Sequence, residues 1–219
     1  MLRVDHVIMA VADLDRAAGR LVEDTGLGSA PGGVHPAFGT ANRIVPVGAG
    51  SYVELMAVHD AGVAATSPVG RWVGAAGDNG DVPAGWMVAT DDLAAIAARL
   101  GVAVVPGQRH LPDGTTIGWR LAGIEAMVTE PPLPAFIAWD VPAGGHPSAM
   151  AVEHQVLPAG VAWIEVGGDT RRLAHRLGRW LGTDGAGDGG AELRVVPDAA
   201  PGLRAVGIAL SDGTETVLA

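Results

Sequence analysis

The sequence predicts an α+β chain built from a repeated unit, with curved mixed or antiparallel sheets, helices on the outside and a cup-shaped site. Three observations predict this class. Three helical stretches share one punctuation, an acidic opening and a glycine stop: Asp13 with Gly26, Asp91-Asp92 with Gly101, and Asp169-Thr170 with Gly182. Each follows a short apolar strand (residues 6–11, 85–90 and 161–166) and precedes further strand-like segments, at nearly equal intervals, which is the mark of internal repetition. A helix laid on one face of a curved sheet leaves the other face free, so two such units side by side enclose a cup.

The first strand, Val4-Asp5-His6-Val7-Ile8-Met9-Ala10-Val11, is apolar except for Asp5 and His6. The helix after it carries Leu14, Ala17, Ala18, Leu21 and Val22 at the spacing of one buried face. Asp at the start accepts from free amide groups, and Gly at the end takes the left-handed turn. A loop with His35-Pro36 leads to strands at 41–47 and 51–58. The second unit has Leu93, Ile96, Ala97 and Leu100 on its helix, then strands expected at 115–122, 125–129 and 135–140. The third has Leu173, Leu177, Trp180 and Leu181, then strands at 192–196, 203–210 and 214–218. The expected organisation is a first module at 1–60, a linker with a short helix at 61–83, a second module at 84–140, a linker at 141–160 and a third unit at 161–219. The Gly-rich stretch 183–190 follows a helix instead of preceding one, so it reads as a turn and not as a phosphate loop.

Composition removes several function classes. The 219 residues are 48% hydrophobic and carry a formal charge of −10, which is not the balance of a disordered chain or a nucleic-acid binder. No apolar run approaches the length of about 18 residues that a membrane helix needs. The opening Met1-Leu2-Arg3-Val4-Asp5 lacks a signal-peptide layout, and a cytoplasmic location is expected. Cys is absent, which excludes disulfides and thiolate chemistry. All 14 basic residues are Arg, so no lysine Schiff base is available. No nucleotide cofactor is expected.

Three stretches then carry a family resemblance. His6 to Leu14, with its Asp13 helix start, resembles the opening of the vicinal oxygen chelate superfamily, which includes glyoxalase I, bleomycin-resistance proteins and extradiol dioxygenases. Gly33-Val34-His35-Pro36, Gly39-Thr40-Ala41-Asn42 and Tyr52-Val53-Glu54-Leu55 resemble its glyoxalase-like domain proteins, as do Asp113-Gly114-Thr115-Thr116, Trp119-Arg120-Leu121-Ala122-Gly123, the 134–140 strand and His146-Pro147. The resemblance implies paired βαβββ modules and a small-molecule enzyme of lyase, isomerase or dioxygenase type. It implies a divalent ion held by a first-strand His or Gln and a fourth-strand Glu from each module. His6 and Glu54 match those positions in the first module. The repeat alignment puts Gly85 and Ala138 there in the second, and neither can ligate.

The expected site follows. His6 and Glu54 are the metal-ligand candidates, with His35 or His146 as a third donor; the other reading is a metal-free hydrogen-bonded pair. Glu54 and His35 are the catalytic candidates. Tyr52 and Met56 share the Glu54 face by strand alternation, and with Asn42, Trp139 and Arg120 they are expected to bind substrate. Arg120 could grip a carboxylate, or it could pair with Asp140 at a sheet edge. A non-catalytic binding or sequestration protein is the rival function. Its partners would be a small molecule, with no nucleic acid and no membrane, and a homodimer would give the odd third unit a mate.

Overall fold

The computed structural model describes residues 2–48, 50–111, 113–142, 144–182 and 191–219; the turn expected at 183–190 lies outside them. The first module runs β1 (Leu2–Ala10), α1 (Leu14–Thr25), β2 (Ala30–His35), β3 (Thr40–Gly48) and β4 (Ser51–Val58). Two helices, α2 (Ala61–Thr66) and α3 (Pro68–Gly77), lead to the second: β5 (Val82–Thr90), α4 (Leu93–Leu100), β6 (Val104–His110), β7 (Thr116–Ala122), α5 (Ile124–Thr129) and β8 (Ala135–Asp140). Among the described residues these strands close into a barrel in the order β1-β4-β3-β2-β6-β7-β8-β5. The two modules therefore share one internal order, with the fourth strand beside the first.

The expected caps are present. Asp13, Asp92 and Asp169 accept the amide protons of Arg16, Ala95 and Arg172, and Gly26, Gly101 and Gly182 close their helices with left-handed backbone. The barrel is closed unequally. β1 and β5 pair along their length, whereas β2 meets β6 at Val34 and His110. Pro31, Gly32 and Gly33 weaken β2 as a strand signal, and Pro106 and Gly107 do the same in β6, which is why neither strand was expected.

Two apolar clusters sit on opposite sides of the barrel wall. The outer one joins Val7, Met9, Val53, Leu55, Trp86 and Val88 to the helices α1, α4 and the later helix at Thr170–Leu181. The inner one, with Ile8, Met56, Met87, Trp119, Leu121 and Ile137, is plugged by Val69 and Val73 of α3 and Met127 of α5. The segment expected as a strand at 125–129 is α5. Left-handed Gly123 ends β7, and Ile124, Met127 and Val128 then follow a helical spacing into the barrel end.

The third unit contains β9 (Pro158–Gly168), α6 (Thr170–Leu181), β10 (Glu192–Pro197), β11 (Gly202–Leu210) and β12 (Glu215–Leu218). Its element order repeats the modules, but its sheet order, β10-β9-β11-β12, does not. Its first strand sits between the second and third, so it is not a third copy of the barrel half. Ile164, Val166, Val206 and Ile208 join the outer cluster. Trp163 and Glu165 therefore point away from the barrel, and Trp163 donates to Glu215 at 2.7 Å. Among the described residues no helix is long and apolar enough to cross a membrane.

Candidate functional site

Inside the barrel lies a cavity of about 40 Å³, lined by His6, His35, Tyr52, Glu54 and Met56 on one side and by Trp119, Trp139 and Arg109 on the other. Strand alternation accounts for most of this lining. Tyr52, Glu54 and Met56 are successive inward positions of β4, and Asn42 reaches the same face from β3, where it is paired with Met56.

Asp5 and His6 break the alternation. In the β1–β5 ladder Val4 pairs with Val88 and His6 with Met87, so Asp5 is an extra residue. This β-bulge turns two consecutive side chains inward. The same irregularity recurs on β5, where Ala84 is extra between Gly85, opposite Ile8, and Pro83, opposite Met9. The two bulges obey one pseudo-two-fold axis, which equates Asp5 with Ala84 and His6 with Gly85. Glu54 stands opposite Ile8. Its counterpart stands opposite Met87 and is Ala135, not the Ala138 expected from the repeat. Ala138 packs on the outer cluster.

Around Glu54 the contacts are direct. Asn42 Nδ2 donates to Glu54 Oε1. His6 Nε2 lies 3.5 Å from Oε2, and His35 Nε2 lies 3.7 Å from Oε1. Asp5 holds the histidines from behind. Its Oδ1 is 2.6 Å from His6 Nδ1, and its Oδ2 accepts from Trp139 Nε1 and meets His146 Nε2, both at 3.1 Å. Ser148 N–H donates to His146 Nδ1, so the His146 proton sits on Nε2 and is given to Asp5. Burial pushes the Asp5 carboxyl up, but the hydrogen bonds from His146 and His6 outweigh it and hold the group well below the usual carboxylate range. An ionised Asp5 keeps the His6 proton on Nδ1 and leaves Nε2 facing Glu54 and the cavity.

Burial pushes His35 down to about 4, with the nearby Arg109 charge adding to the effect and Glu54 opposing it, so its imidazole is neutral at pH 7. Its Nδ1 is 3.0 Å from Thr40 Oγ1. Tyr52 stacks on the His6 ring at 4.5 Å. Burial, with the charges of Glu54 and Asp5, raises its phenol far above the ordinary value, so it stays protonated.

His6, His35, Tyr52, Glu54, Met56 and Trp139 thus line one cavity, and Asn42 reaches it only through its hydrogen bond to Glu54. Arg120 does not. Its partner across the ladder is Ala138, while Trp119 pairs with Trp139 on the inward side. Arg120 is about half exposed and bonds Asp140 at 3.1 Å outside the barrel. Nor does His146 complete a ligand set, because it turns to Asp5. Asp5 and Arg109 were missed. Alternation assigns Asp5 to the wrong face, and Arg109 lies on a strand hidden by Pro106 and Gly107.

The ligand set implied by the resemblance can be compared with these donors. The His6–Glu54 separation is one that two ligands of a shared ion could have. The second-module positions, Gly85 and Ala135, offer no donor, and one oxygen of Glu54 already accepts from Asn42. Among the described residues no three His, Cys, Asp or Glu side chains are grouped to hold an ion. The four-donor set is incomplete.

A closed barrel of two pseudo-symmetric modules with its acids and bases inside has the architecture that the resemblance to the vicinal oxygen chelate superfamily implies. The chain belongs to the glyoxalase-like domain family, whose model matches residues 4–181. No curated protein matches it. Among solved structures it is similar to a hypothetical protein from Staphylococcus aureus, at 17% identity and a TM-score of 0.72, over 92% of this chain and 88% of that one. Methylmalonyl-CoA epimerases from Streptomyces coelicolor and Mycobacterium tuberculosis each match 64% of this chain at 21% identity, with 98% and 89% of their own lengths covered and TM-scores of 0.47 and 0.45.

Proposed function

We propose that the protein is a small-molecule enzyme of isomerase or lyase type that moves a proton at a carbon next to a carbonyl. The observation that carries this reading is Glu54, a carboxylate enclosed in a mostly apolar cavity with imidazole nitrogens at 3.5 and 3.7 Å. Glu54 is the general base. Asn42 fixes its carboxylate through Oε1, and the acid–base partner is His6, whose Nε2 faces the cavity because Asp5 holds Nδ1. A positioned base of this kind contributes roughly 10²–10⁴-fold to a proton transfer. Neutral His35, whose Nε2 lies 3.7 Å from the same oxygen that Asn42 binds, flanks that side of the carboxylate without adding charge.

The alternative is sequestration without turnover. It is favoured by the apolar positions of the second module, where Gly85 and Ala135 stand opposite the working pair. Deuterium exchange separates the two readings. A panel of small 2-oxo acids, hydroxy ketones and thioesters is incubated with the protein in D₂O and followed by proton NMR. The enzyme reading expects loss of a carbon-bound proton signal with wild type and at least 100-fold slower loss with Glu54→Gln. A panel member that binds but never exchanges supports sequestration.

A further inference from the structure

Among the described residues that line the cavity, Arg109 is the one strongly charged side chain that the proposed proton transfer leaves without a task. It belongs to β6, where Val105, Gly107 and Arg109 alternate inward. Gly107 makes the room: a Cβ there would lie 2.2 Å from the Trp119 indole nitrogen. Arg109 is 2% exposed and lines the same cavity as His6, His35 and Glu54. Its Nε and Nη2 are buried and have no hydrogen-bond partner among the described residues. A guanidinium out of water and unpaired is costly to the fold. Such a cost is explained where the missing partner arrives with the ligand.

We infer that Arg109 is the anchor for a carboxylate on the ligand, which it grips through Nε and Nη2 while the ligand's reactive carbon faces Glu54. This rests on the cavity being the working site proposed above. The two unpartnered atoms are the side-on edge of the guanidinium, whose spacing matches the two oxygens of a carboxylate. Charge favours a carboxylate over a phosphate. Asp5 is held by His6 and His146, and the cavity already contains the Glu54 carboxylate with only a neutral partner in Asn42, so Arg109, the one arginine among the described lining residues, faces that charge as well as the ligand's, and a monoanion adds the least repulsion. A dianion would bring its second charge beside Glu54. The rest of the wall, Trp119, Trp139, Met56 and Met87, is apolar or aromatic and suits a short carbon skeleton.

The test compares 2-oxobutyrate with its neutral isostere 2-oxobutyramide, and both with inorganic phosphate, by ligand-observed NMR titration of the full chain. The expected result is at least tenfold tighter binding of the acid than of the amide by wild type. Arg109→Met removes that preference and keeps the weak amide binding, and Arg109→Lys restores part of it. Equal binding of acid and amide by wild type overturns the inference, and so does binding of neither. Tighter binding of phosphate than of the acid also overturns it. The wild-type comparison decides the matter even if Arg109→Met fails to fold. Glu54→Gln separates the two proposals: it keeps the acid-over-amide preference if Arg109 is the anchor, whether or not exchange is ever seen with wild type.

Discussion

At the scale of single residues, the cavity is organised by one carboxylate that never faces the ligand. Asp5 receives hydrogen bonds from His6, His146 and Trp139, which come from β1, the 141–157 segment and β8. Asp5→Asn keeps the shape but removes the charge that holds both imidazoles. Charge-assisted hydrogen bonds contribute about 1.5–3 kcal/mol each to a fold, so urea unfolding at pH 7 is expected to show a loss of about 2–3 kcal/mol. The deuterium exchange of the wild-type substrate should also slow by tenfold or more, because His6 loses its fixed tautomer. His35 sets the pH response. Its folded-state pKa is pushed by burial to about 4, below the 6.5 of an unfolded chain. The unfolded state therefore binds the extra proton between those values, and stability falls as pH drops from 6.5 to 4. At about 1.4 kcal/mol per pH unit the loss is of order 3 kcal/mol. Asp5, with its pKa depressed, contributes stability above pH 3.8 that is lost only at lower pH. Urea midpoints at pH 7, 5.5 and 4.5 should slope steeply in wild type and flatten in His35→Gln. Parallel curves would show that His35 is not the group titrating.

At the scale of elements, the barrel has one strong seam and one weak one. β1–β5 pairs at length, and β2–β6 meets at Val34 and His110. The two cavity groups nearest the weak seam are His35 and Arg109, each one residue from the bridging pair. Gly33 permits the approach. Its φ is +143°, and a Cβ would lie 2.2 Å from the His110 carbonyl oxygen. Gly33→Ala is therefore expected to part the strands. Its signature would be proteolytic cleavage within 30–40 or 104–116 under conditions where wild type resists, together with a lowered Tm. Resistance equal to wild type would show that the seam tolerates the extra carbon. This seam also marks where the sequence stops being legible. Helix caps and the β1, β4 and β8 strands could be read because caps and alternation are local signals. So could the gathering of His6, Asn42, Tyr52 and Glu54, which lie on adjacent regular strands. β2 and β6 could not, because their Pro and Gly residues are chosen for the close approach of another strand or ring, as Gly107 is for Trp119. Arg109 was lost with its strand. Asp5 was lost because a bulge depends on the partner strand, β5, which lies far away in the chain.

At the scale of the whole molecule, the third unit is a buttress to the barrel wall. Its sheet shares the outer apolar cluster with β1, β4 and β5, and α6 is tied to the second module. Trp180 Nε1 donates to Pro134 O at 2.8 Å, its ring lies 6.3 Å from Phe136, and Arg99 donates to the carbonyls of Arg179 and Trp180. Gly123 is held close beneath the same indole, 2.9 Å from where its Cβ would stand. The family match ends at residue 181, at the close of α6, so β10, β11 and β12 complete a cluster that the matched region leaves open. Because one apolar core spans both parts, they are expected to unfold as one unit. Scanning calorimetry should give a single transition whose van't Hoff and calorimetric enthalpies agree. Trp180→Ala removes a large apolar contact and the hydrogen bond to Pro134, for which about 3 kcal/mol is expected, the low end of aromatic-to-alanine changes because the ring is only partly buried. Since the contact links the two parts, the variant should lower the Tm of the whole chain and keep one peak. A second peak, with the barrel melting at the wild-type temperature, would show that the third unit is an independent domain. The distinction reaches the cavity, because β8 carries Phe136 on its outer face against Trp180 and Ile137 and Trp139 on its inner face. If the parts are one unit, loosening α6 shifts the strand that holds Trp139 against Asp5, and Trp180→Ala should slow exchange at Glu54 although Trp180 lies outside the barrel.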